Sequence, residues 1–137
     1  MDDVILNKVA KIERSINRIK EEYIGSEREF ETNFTKQDSI ILNIQRACEA
    51  AIDLAAHLIR LNNLGVPQKT RDVFIFLEEG KIISQDLSKK LQKMDEFRNI
   101  AVHDYKALNL EIVKSIIEKK LDDFLEFTKL VLEKFSN

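Results

Sequence analysis

The scarcity of residues that end helices is the feature that most constrains how this chain can fold. Its 137 residues include three glycines and one proline, too few to supply the turns of a many-stranded sandwich or barrel. Charged residues make up 34% of the chain and hydrophobic residues 44%, a composition typical of long amphipathic helices. The length suits one domain, so we expect residues 1–137 to form a single domain.

Apolar residues recur at helical spacing from the first residues onward. One stripe, with intervals of three or four residues, predicts a helix of about five turns: Ile5, Val9, Ile12, Ile16, Ile19 and Tyr23. Thr35 and Asp38 are spaced like a capping box, with Asp in place of the usual Glu, and predict the start of a long second helix. Gly65 followed by Pro67 is the expected order of residues after that helix ends.

The remaining helices are predicted from their first residues. Thr70 is expected to begin a short third helix, Ser84 to cap a fourth, and Asn109 to cap a continuous last helix. The apolar residues expected on the buried face of that last helix run from Ile112 to Phe135. Four long helices with short connections predict an all-α fold, an antiparallel four-helix bundle with an additional short helix.

The charge and the hydropathy of the chain exclude several classes of protein. The formal net charge is −2 at pH 7, so a nucleic-acid partner would need a local basic patch rather than bulk charge. No apolar run approaches the ~18 residues of a membrane span, and the first residues are acidic where a signal peptide is basic. We therefore expect a cytoplasmic protein with no membrane partner.

Neither a cofactor nor a metal is predicted from the residues. The one cysteine, Cys48, excludes an internal disulfide and a cysteine-rich zinc module, and we expect it in the core. The sequence has no glycine-rich phosphate-binding loop and no histidine and carboxylate cluster with the spacing of metal ligands. His57, near the end of the second helix, is expected to be a structural histidine.

The segment 97–105 concentrates the polar residues that could perform chemistry. Arg98, Asn99, His103, Asp104 and Tyr105 lie there, at the expected end of the fourth helix. At about 100° per residue, Asn99 and His103 share one face of that helix. Arg98 lies about 140° from His103 if the helix continues, whereas fraying after position 102 would let the two side chains converge.

These residue types can together cleave an RNA phosphodiester without a metal. Imidazole is suited to proton transfer near neutral pH, and a guanidinium can bind a phosphate through two parallel hydrogen bonds. The phenol of Tyr105 can hydrogen-bond a phosphate or stack on a base, and the 2′-hydroxyl of RNA can serve as the nucleophile. The structural alternative is that Arg98 pairs with Asp104 while His103 interacts with the last carbonyls of its helix.

Arg98, His103 and Tyr105 stand in the order Arg-x4-His-x-Tyr, which resembles the motif of HepT proteins, a branch of the HEPN superfamily of helical ribonucleases. A polar residue directly after the arginine, here Asn99, is also similar to the superfamily pattern. Three further segments look like HepT sequences, so the likeness extends over nearly the whole chain: 38–46, 64–67 and 108–113.

The resemblance implies a fold, an activity and partners. It implies a HEPN-type bundle that acts as a metal-independent RNA endonuclease toxin, with tRNA as the expected substrate, in which Arg98 and His103 are catalytic. We also expect Asn99 and Asp104, in the same segment, to support that pair. The implied antitoxin is a nucleotidyltransferase of the MNT type that transfers AMP from ATP to the motif tyrosine, here Tyr105. HepT proteins form two-fold dimers in which the motifs face each other across the interface.

The number of histidines independently predicts a homodimer. Attack by a 2′-hydroxyl requires a base for its proton and an acid for the leaving 5′-oxygen, and each chain offers one well-placed histidine. A two-fold axis near the end of the fourth helix would bring two copies of His103 and Arg98 into one cleft. The expected products are a 2′,3′-cyclic phosphate and a 5′-hydroxyl.

Two other groups of charged residues are candidates for supporting roles. Arg46, Glu49 and Asp53 share a face of the second helix, where a carboxylate could orient Arg98 or His103 or the three could form a surface ion-pair ladder. Four lysines near the motif could form the basic patch that binds RNA, or an ordinary solvated face: Lys89, Lys90, Lys93 and Lys106.

Two alternative functions stay open at this point. HEPN bundles also serve as non-catalytic partners that bind substrate or nucleotide for a nucleotidyltransferase, and a plain helical interaction module would need no chemistry at all. The presence of both Arg98 and His103 argues for the nuclease, because a binding subunit does not require that pair.

Overall fold

The computed structural model describes residues 2–135, which form seven α-helices and no strand. In chain order the helices are α1 (Asp3–Tyr23), α2 (Glu27–Phe30), α3 (Phe34–Leu61), α4 (Asp72–Glu79), α5 (Gln85–His103), α6 (Leu110–Lys119) and α7 (Leu121–Phe135). A 3₁₀ turn, Tyr105–Ala107, separates α5 from α6. The predicted all-α antiparallel bundle is confirmed.

The first helix is capped by a carboxylate that also contacts α3. The side chain of Asp2 accepts hydrogen bonds from the backbone N–H groups of Val4 at 2.7 Å and Ile5 at 3.3 Å, which satisfies donors that no helical carbonyl can reach. The same carboxylate lies 2.7 Å from Nε2 of His57. That hydrogen bond lowers the pKa of Asp2, and it gives His57 the structural role expected from the sequence.

The predicted start of the second long helix was wrong. The helix begins at Phe34, and its cap is Asn33, whose side chain accepts a hydrogen bond from the backbone N–H of Lys36 at 3.0 Å. Because the helix has already begun at Phe34, Thr35 lies inside its first turn and is not the cap, and the proposed capping box at Thr35 and Asp38 does not form. The carboxylate of Asp38 is left for a contact with a distant part of the chain.

Two later predictions also need correction. Thr70 does not begin the short helix, which starts at Asp72. The last helix is not continuous, because Lys120 leaves the helical conformation at φ −123° and ψ −4°, and α7 begins at the next residue. Asp122 and Asp123 in the first turn of α7 favour a new helix start here, since acidic side chains stabilise a helix N-terminus.

The capping predictions for α5 and α6 are confirmed. Ser84 accepts a hydrogen bond from the backbone N–H of Leu87 at 3.1 Å, and Asn109 accepts one from Glu111 at 2.7 Å. The Asn109 cap fixes where the polar connection between α5 and α6 ends. Ile112, which was expected to be buried, is 55% exposed.

One apolar cluster draws on all seven helices. α1 packs along α3, α3 also contacts α4 and α5, and α7 contacts both α1 and α5. Several of the largest side chains in the cluster are almost fully buried: Phe30, Phe74, Phe124, Phe127, Ile44 and Leu54. The assignment of residues 1–137 to a single domain stays a prediction, which the continuity of this cluster supports. Within residues 2–135, no helix combines the length and apolar character needed to cross a membrane.

Phe124 and Phe34 provide a test of the packing. Phe124 is fully buried and Phe34 is 77% exposed. We expect Phe124→Ala to lower the free energy of unfolding by about 3–5 kcal/mol, because it loses apolar burial and leaves a cavity. Phe34→Ala should change it by less than about 0.5 kcal/mol. Urea denaturation followed by circular dichroism measures both, and equal losses would contradict this description of the core.

Candidate functional site

The polar segment 97–105 begins inside α5, and the helix does not fray before its end. The backbone N–H of Asp104 donates to the carbonyl of Ile100 at 2.8 Å, so helical hydrogen bonding extends through His103. The expected convergence of Arg98 and His103 by fraying is therefore wrong. Their Cα–Cβ directions stay about 140° apart around the helix axis.

Arg98 is held at the base of the segment by three side chains. Its Nε donates to Oδ1 of Asp95 at 3.3 Å, and its Nη2 donates to Oδ1 of Asn99 at 2.8 Å. Nη2 also lies 3.5 Å from the hydroxyl of Thr70. The bond to Asn99 draws the guanidinium towards the face of α5 that carries His103, because Asn99 and His103 are one turn apart.

Asp95 is the central residue of this network, and the sequence reasoning missed it. Its side chain is 2% exposed, and its two oxygens accept hydrogen bonds from the Thr70 hydroxyl at 3.0 and 2.9 Å. A buried carboxylate needs such partners, because leaving water is otherwise costly. The sequence carried one signal: Asp95 stands one turn after Leu91 and three residues before Arg98, as the one charged residue on the buried face of α5.

His103 and its neighbours are exposed to solvent. His103 is the last residue of α5, and Asp104 follows with an extended φ of −150°. Asp104 is not the partner of Arg98, so the structural alternative considered for this pair is wrong, because Asp95 already occupies that role. The imidazole of His103 is therefore available to a ligand.

Tyr105 is tied to the first turns of α3. Its hydroxyl donates to Oδ1 of Asp38, across 67 residues of sequence, and its side chain is 45% exposed. Partial burial, together with the neighbouring carboxylate, raises the pKa of Tyr105 to about 12. The phenol is consequently neutral near pH 7.

The four lysines near the motif do not behave alike. Lys89, Lys93 and Lys106 are exposed, and Lys89 and Lys93 lie one turn apart on α5. Lys90 instead forms ion pairs with Asp86 at 3.1 Å and with Asp123 at 3.9 Å. The hydrogen bond that Lys90 donates to the Asp86 carboxylate raises the pKa of Lys90. The charge of Lys90 is neutralised by carboxylates of the same chain, so the expected basic patch is reduced to the three other lysines.

Arg46, Glu49 and Asp53 lie on one face of α3, as expected, but they contact other groups. Asp53 pairs with Lys8 of α1 at 3.2 Å, and Glu49 accepts a hydrogen bond from the side chain of Gln45 at 3.0 Å. The suggestion that a carboxylate of this group holds Arg98 or His103 is wrong within the described chain, and so is the ion-pair ladder. These residues line a groove between α1 and α3.

The arrangement provides an exposed imidazole, an anchored guanidinium and an exposed phenol at one end of α5. A guanidinium and an imidazole can bind and protonate a phosphate group. Between residues 2 and 135, no group of three or more His, Cys, Asp or Glu side chains is placed to hold a metal ion.

Comparison with known proteins identifies close relatives. Residues 12–131 match the family model described as Ribonuclease HepT-like. The chain is 49% identical over 131 residues to the mRNA nuclease HepT of Shewanella oneidensis. The aligned region covers 96% of this chain and 98% of that protein.

Solved structures agree over the same length. The fold matches a tri-AMPylated HEPN toxin of Shewanella oneidensis in complex with MNT antitoxin, with a TM-score of 0.93 and 48% identity, over 97% of this chain and 99% of that one. It also matches a toxin–antitoxin structure with AMP-PNP, with a TM-score of 0.93 and 47% identity, over 96% of this chain and 99% of that one.

Asp95 and its neighbour Glu96 offer a matched test of the network around Arg98. We expect Asp95→Ala to lower the free energy of unfolding by about 2–3 kcal/mol, because the Arg98 and Thr70 donors lose their buried acceptor. Glu96 is exposed, and its ion pair with Arg71 is exposed and long, at 4.0 Å. Glu96→Ala should therefore cost less than about 0.5 kcal/mol. Urea midpoints measure both, and a similar midpoint for the two variants would exclude Asp95 as an anchor.

Proposed function

The chain belongs to the HepT-like ribonuclease family, and from that premise we propose that it is an RNA endonuclease toxin with Arg98 and His103 as catalytic residues. The observation that carries the proposal is the exposed His103 imidazole, one turn from Asn99, which hydrogen-bonds the anchored guanidinium of Arg98 at 2.8 Å. We expect tRNA as the substrate. The relative from Shewanella oneidensis is named an mRNA nuclease, so messenger RNA is the second substrate to assay.

Arg98 retains free donors for a phosphate. Its Nε and Nη2 contact Asp95, Asn99 and Thr70, while its Nη1 has no hydrogen-bond partner in the described part of the chain. The anchoring contacts hold the guanidinium before substrate arrives, which reduces the reorganisation needed at the transition state. Asp95 is thus a positioning residue, and Asn99 supports it from the exposed side. Asp104, exposed beside His103, remains a predicted supporting residue.

The number of histidines that are free to act supports a site shared by two copies of the chain. The sequence has two histidines, and His57 is occupied by Asp2 at 2.7 Å with only 15% of its side chain exposed. Each chain therefore contributes one available imidazole, His103. Two imidazoles at one phosphodiester can serve as its acid and its base, so we propose a two-fold homodimer with both copies of His103 at one cleft.

The proposed reaction is an internal transesterification. One His103 takes the proton of the RNA 2′-hydroxyl, and the 2′-oxygen attacks the adjacent phosphorus. The bond from phosphorus to the 5′-oxygen breaks, and a protonated His103 of the partner subunit gives that oxygen a proton. Arg98 stabilises the added negative charge on the phosphoryl oxygens. The products are a 2′,3′-cyclic phosphate and a 5′-hydroxyl, and the step needs no metal ion.

Purified protein and two RNA substrates, tRNA and mRNA, test the nuclease proposal. We expect wild-type protein to cleave RNA in the presence of EDTA and to leave DNA of the same sequence intact. His103→Ala should reduce the rate by roughly 10²–10⁴-fold. Arg98→Lys, which keeps a cation beside Asp95 but loses the planar fork, should reduce it by roughly 10²-fold. His57→Gln is the matched control and should retain activity.

The outcome also separates the alternatives. A heterodimer of wild-type and His103→Ala chains, isolated with two different tags, should be nearly inactive, and full activity there would exclude a shared site. If the wild type cleaves no RNA, the chain is a non-catalytic binding partner or an interaction module. Lys89, Lys93 and Lys106 are proposed RNA contacts, whereas Lys90 is not expected to contribute much.

We further propose that an MNT-type nucleotidyltransferase neutralises the toxin by AMPylation of Tyr105. The chain has two tyrosines. Tyr23 is 4% exposed and donates to Glu118 at 2.6 Å, whereas Tyr105 is 45% exposed. The related toxin from Shewanella oneidensis is tri-AMPylated and bound to MNT antitoxin. Exposure makes Tyr105 the tyrosine of this chain that a modifying enzyme can reach.

Asp38 provides a route for the phenolic proton. The pKa of Tyr105, raised to about 12, leaves the phenol protonated near pH 7. In the proposed transfer the Tyr105 oxygen bonds to the α-phosphorus of ATP, pyrophosphate leaves, and the phenolic proton passes to Asp38. The adduct adds a bulky, negatively charged phosphodiester two residues from His103, so it repels RNA phosphate and occupies space.

Mass spectrometry of the toxin after incubation with the antitoxin and ATP tests this assignment. We expect a mass increase of one or more AMP units on wild-type protein and none on Tyr105→Phe. Asp38→Asn should slow the modification while leaving RNA cleavage intact, because the side-chain hydrogen bond that Asp38 makes among residues 2–135 is to Tyr105 and not to Arg98 or His103. Tyr23→Phe is the matched control and should be modified normally. Modification of Tyr105→Phe, with loss of its nuclease activity, would refute the assignment.

A further inference from the structure

A groove between α1 and α3 is lined by several cations that the proposed reaction does not use. It has a volume of about 390 Å³. We call it the α1/α3 groove, and its lining residues are Lys11, Arg14, Ser15, Arg18, Asn43, Arg46, Glu49, Ala50 and Asp53.

The α1/α3 groove is positively charged although the whole chain is acidic. Four cations line it against two carboxylates, and one of those, Asp53, is already paired with Lys8 at 3.2 Å. None of the four cations forms an ion pair with another of the described residues. By contrast, Arg98 and Lys114 are each paired with a carboxylate inside the chain. Uncompensated charge in a concave surface favours an anionic ligand.

The floor of the α1/α3 groove is polar and largely shielded from water. Ser15 is 7% exposed and Asn43 is 4% exposed. The hydroxyl of Ser15 has no hydrogen-bond partner among residues 2–135. Asn43 donates through Nδ2 to the carbonyl of Ser39 at 2.9 Å, and its Oδ1 is not engaged by a described donor. No buried side-chain nitrogen or oxygen of the described residues lacks a hydrogen-bond partner, so the Ser15 hydroxyl keeps access to solvent and can hydrogen-bond a polar ligand in the groove.

Three of the cations lie in a row on α1, and the fourth, Arg46, lies on α3 about 80° around the helix axis from Asp38, the partner of Tyr105. Lys11, Arg14 and Arg18 are spaced by three and four residues, so they share one face of α1 over about 10 Å. Arg46 lies two turns beyond Asp38 along α3, which is about 12 Å. A strand that passes Tyr105 and follows α3 therefore reaches the groove within a short distance.

We propose that the α1/α3 groove binds the phosphodiester backbone of single-stranded RNA next to the linkage that is cleaved. The inference rests on the proposed function and extends it to a second contact region on the substrate. A row of cations suits successive phosphates better than one isolated anion, and guanidinium groups bind phosphate through paired donors. No aromatic side chain lines the groove, so the contact is to the backbone and does not select a base sequence.

Direct binding provides the test. The probe is a fluorescent single-stranded RNA of about ten nucleotides, with 2′-O-methyl groups so that it cannot be cleaved by attack of its own 2′-oxygen. We expect Arg14→Ala/Arg18→Ala to weaken binding by roughly tenfold. The slope of log K against log salt should become shallower by about 1.4, since each lost phosphate contact removes about 0.7.

A second double variant controls for charge alone. Arg28→Ala/Arg60→Ala removes the same charge from exposed arginines outside the α1/α3 groove, and neither pairs with a described carboxylate. It should leave the salt slope within experimental error of wild type. If both double variants change affinity and slope equally, the groove is not a binding site and only bulk charge acts.

Cleavage of short and long substrates separates the groove from the chemistry. A dinucleotide has a single phosphodiester and does not reach the α1/α3 groove, so Arg14→Ala/Arg18→Ala should cleave it at the wild-type rate. For the longer RNA the same variant should show an increased KM with little change in kcat. If the KM of this variant for the longer RNA is unchanged, the proposed RNA site in the groove is wrong, whereas the proposed nuclease activity is unaffected. Absence of cleavage by wild-type protein overturns the nuclease, and the salt slope still decides the groove.

Discussion

Burial of the apolar side chains of α3 is the interaction on which the rest of the structure depends. α3 contacts α1, α2, α4 and α5, and Ile40, Ile44, Leu54 and Leu58 are fully buried at these contacts. Each large apolar side chain removed from water contributes roughly 1.5–3 kcal/mol, and α3 buries many of them. The rotation of α3 about its axis, set by this burial, decides which of its polar residues face the groove and which face Tyr105.

Polar contacts within that apolar frame position the individual functional groups. Asp95 is buried on α5 and links Thr70 to Arg98. Because its carboxylate lies in a region of low polarity, its hydrogen bonds are stronger than they would be at the surface, and the loss of a partner is more costly. The side chain of Cys48 is also buried, and its Sγ lies 3.4 Å from the carbonyl oxygen of Met94, the residue before Asp95. Burial raises the pKa of the Cys48 thiol, so it belongs to the core and not to the chemistry.

The proposed catalytic histidine and the tyrosine proposed to be modified are held by different parts of the fold. His103 ends α5, whereas Tyr105 lies in the 3₁₀ turn that follows and is held by Asp38 of α3. The two side chains are only two residues apart, so a nucleotide attached to the phenol lies close to the imidazole. The hydroxyl of Tyr105 nevertheless has its own hydrogen-bond partner, Asp38. The proposed neutralisation would therefore act on the site without rearranging the helix that carries His103.

The sequence by itself determined the helices and the position of the motif. Periodic apolar residues, the caps at Ser84 and Asn109 and the polar segment 97–105 are all local patterns, because the partners in a helix stand within four residues of one another. Local patterns gave a wrong prediction where two nearby residues could each cap a helix. Asn33 caps α3, so the capping box expected at Thr35 does not form. The break at Lys120 left the apolar spacing of the last helices uninterrupted, so periodicity could not reveal it.

Only the tertiary structure decided which distant residues meet. The pairing of Tyr105 with Asp38 spans 67 residues, Thr70 reaches Asp95 from another helix, and the α1/α3 groove exists only because two helices pack side by side. Such contacts depend on how each helix is rotated about its axis and how far it is shifted along its neighbour. Those quantities follow from the simultaneous packing of all the buried side chains, and no window of the sequence contains them.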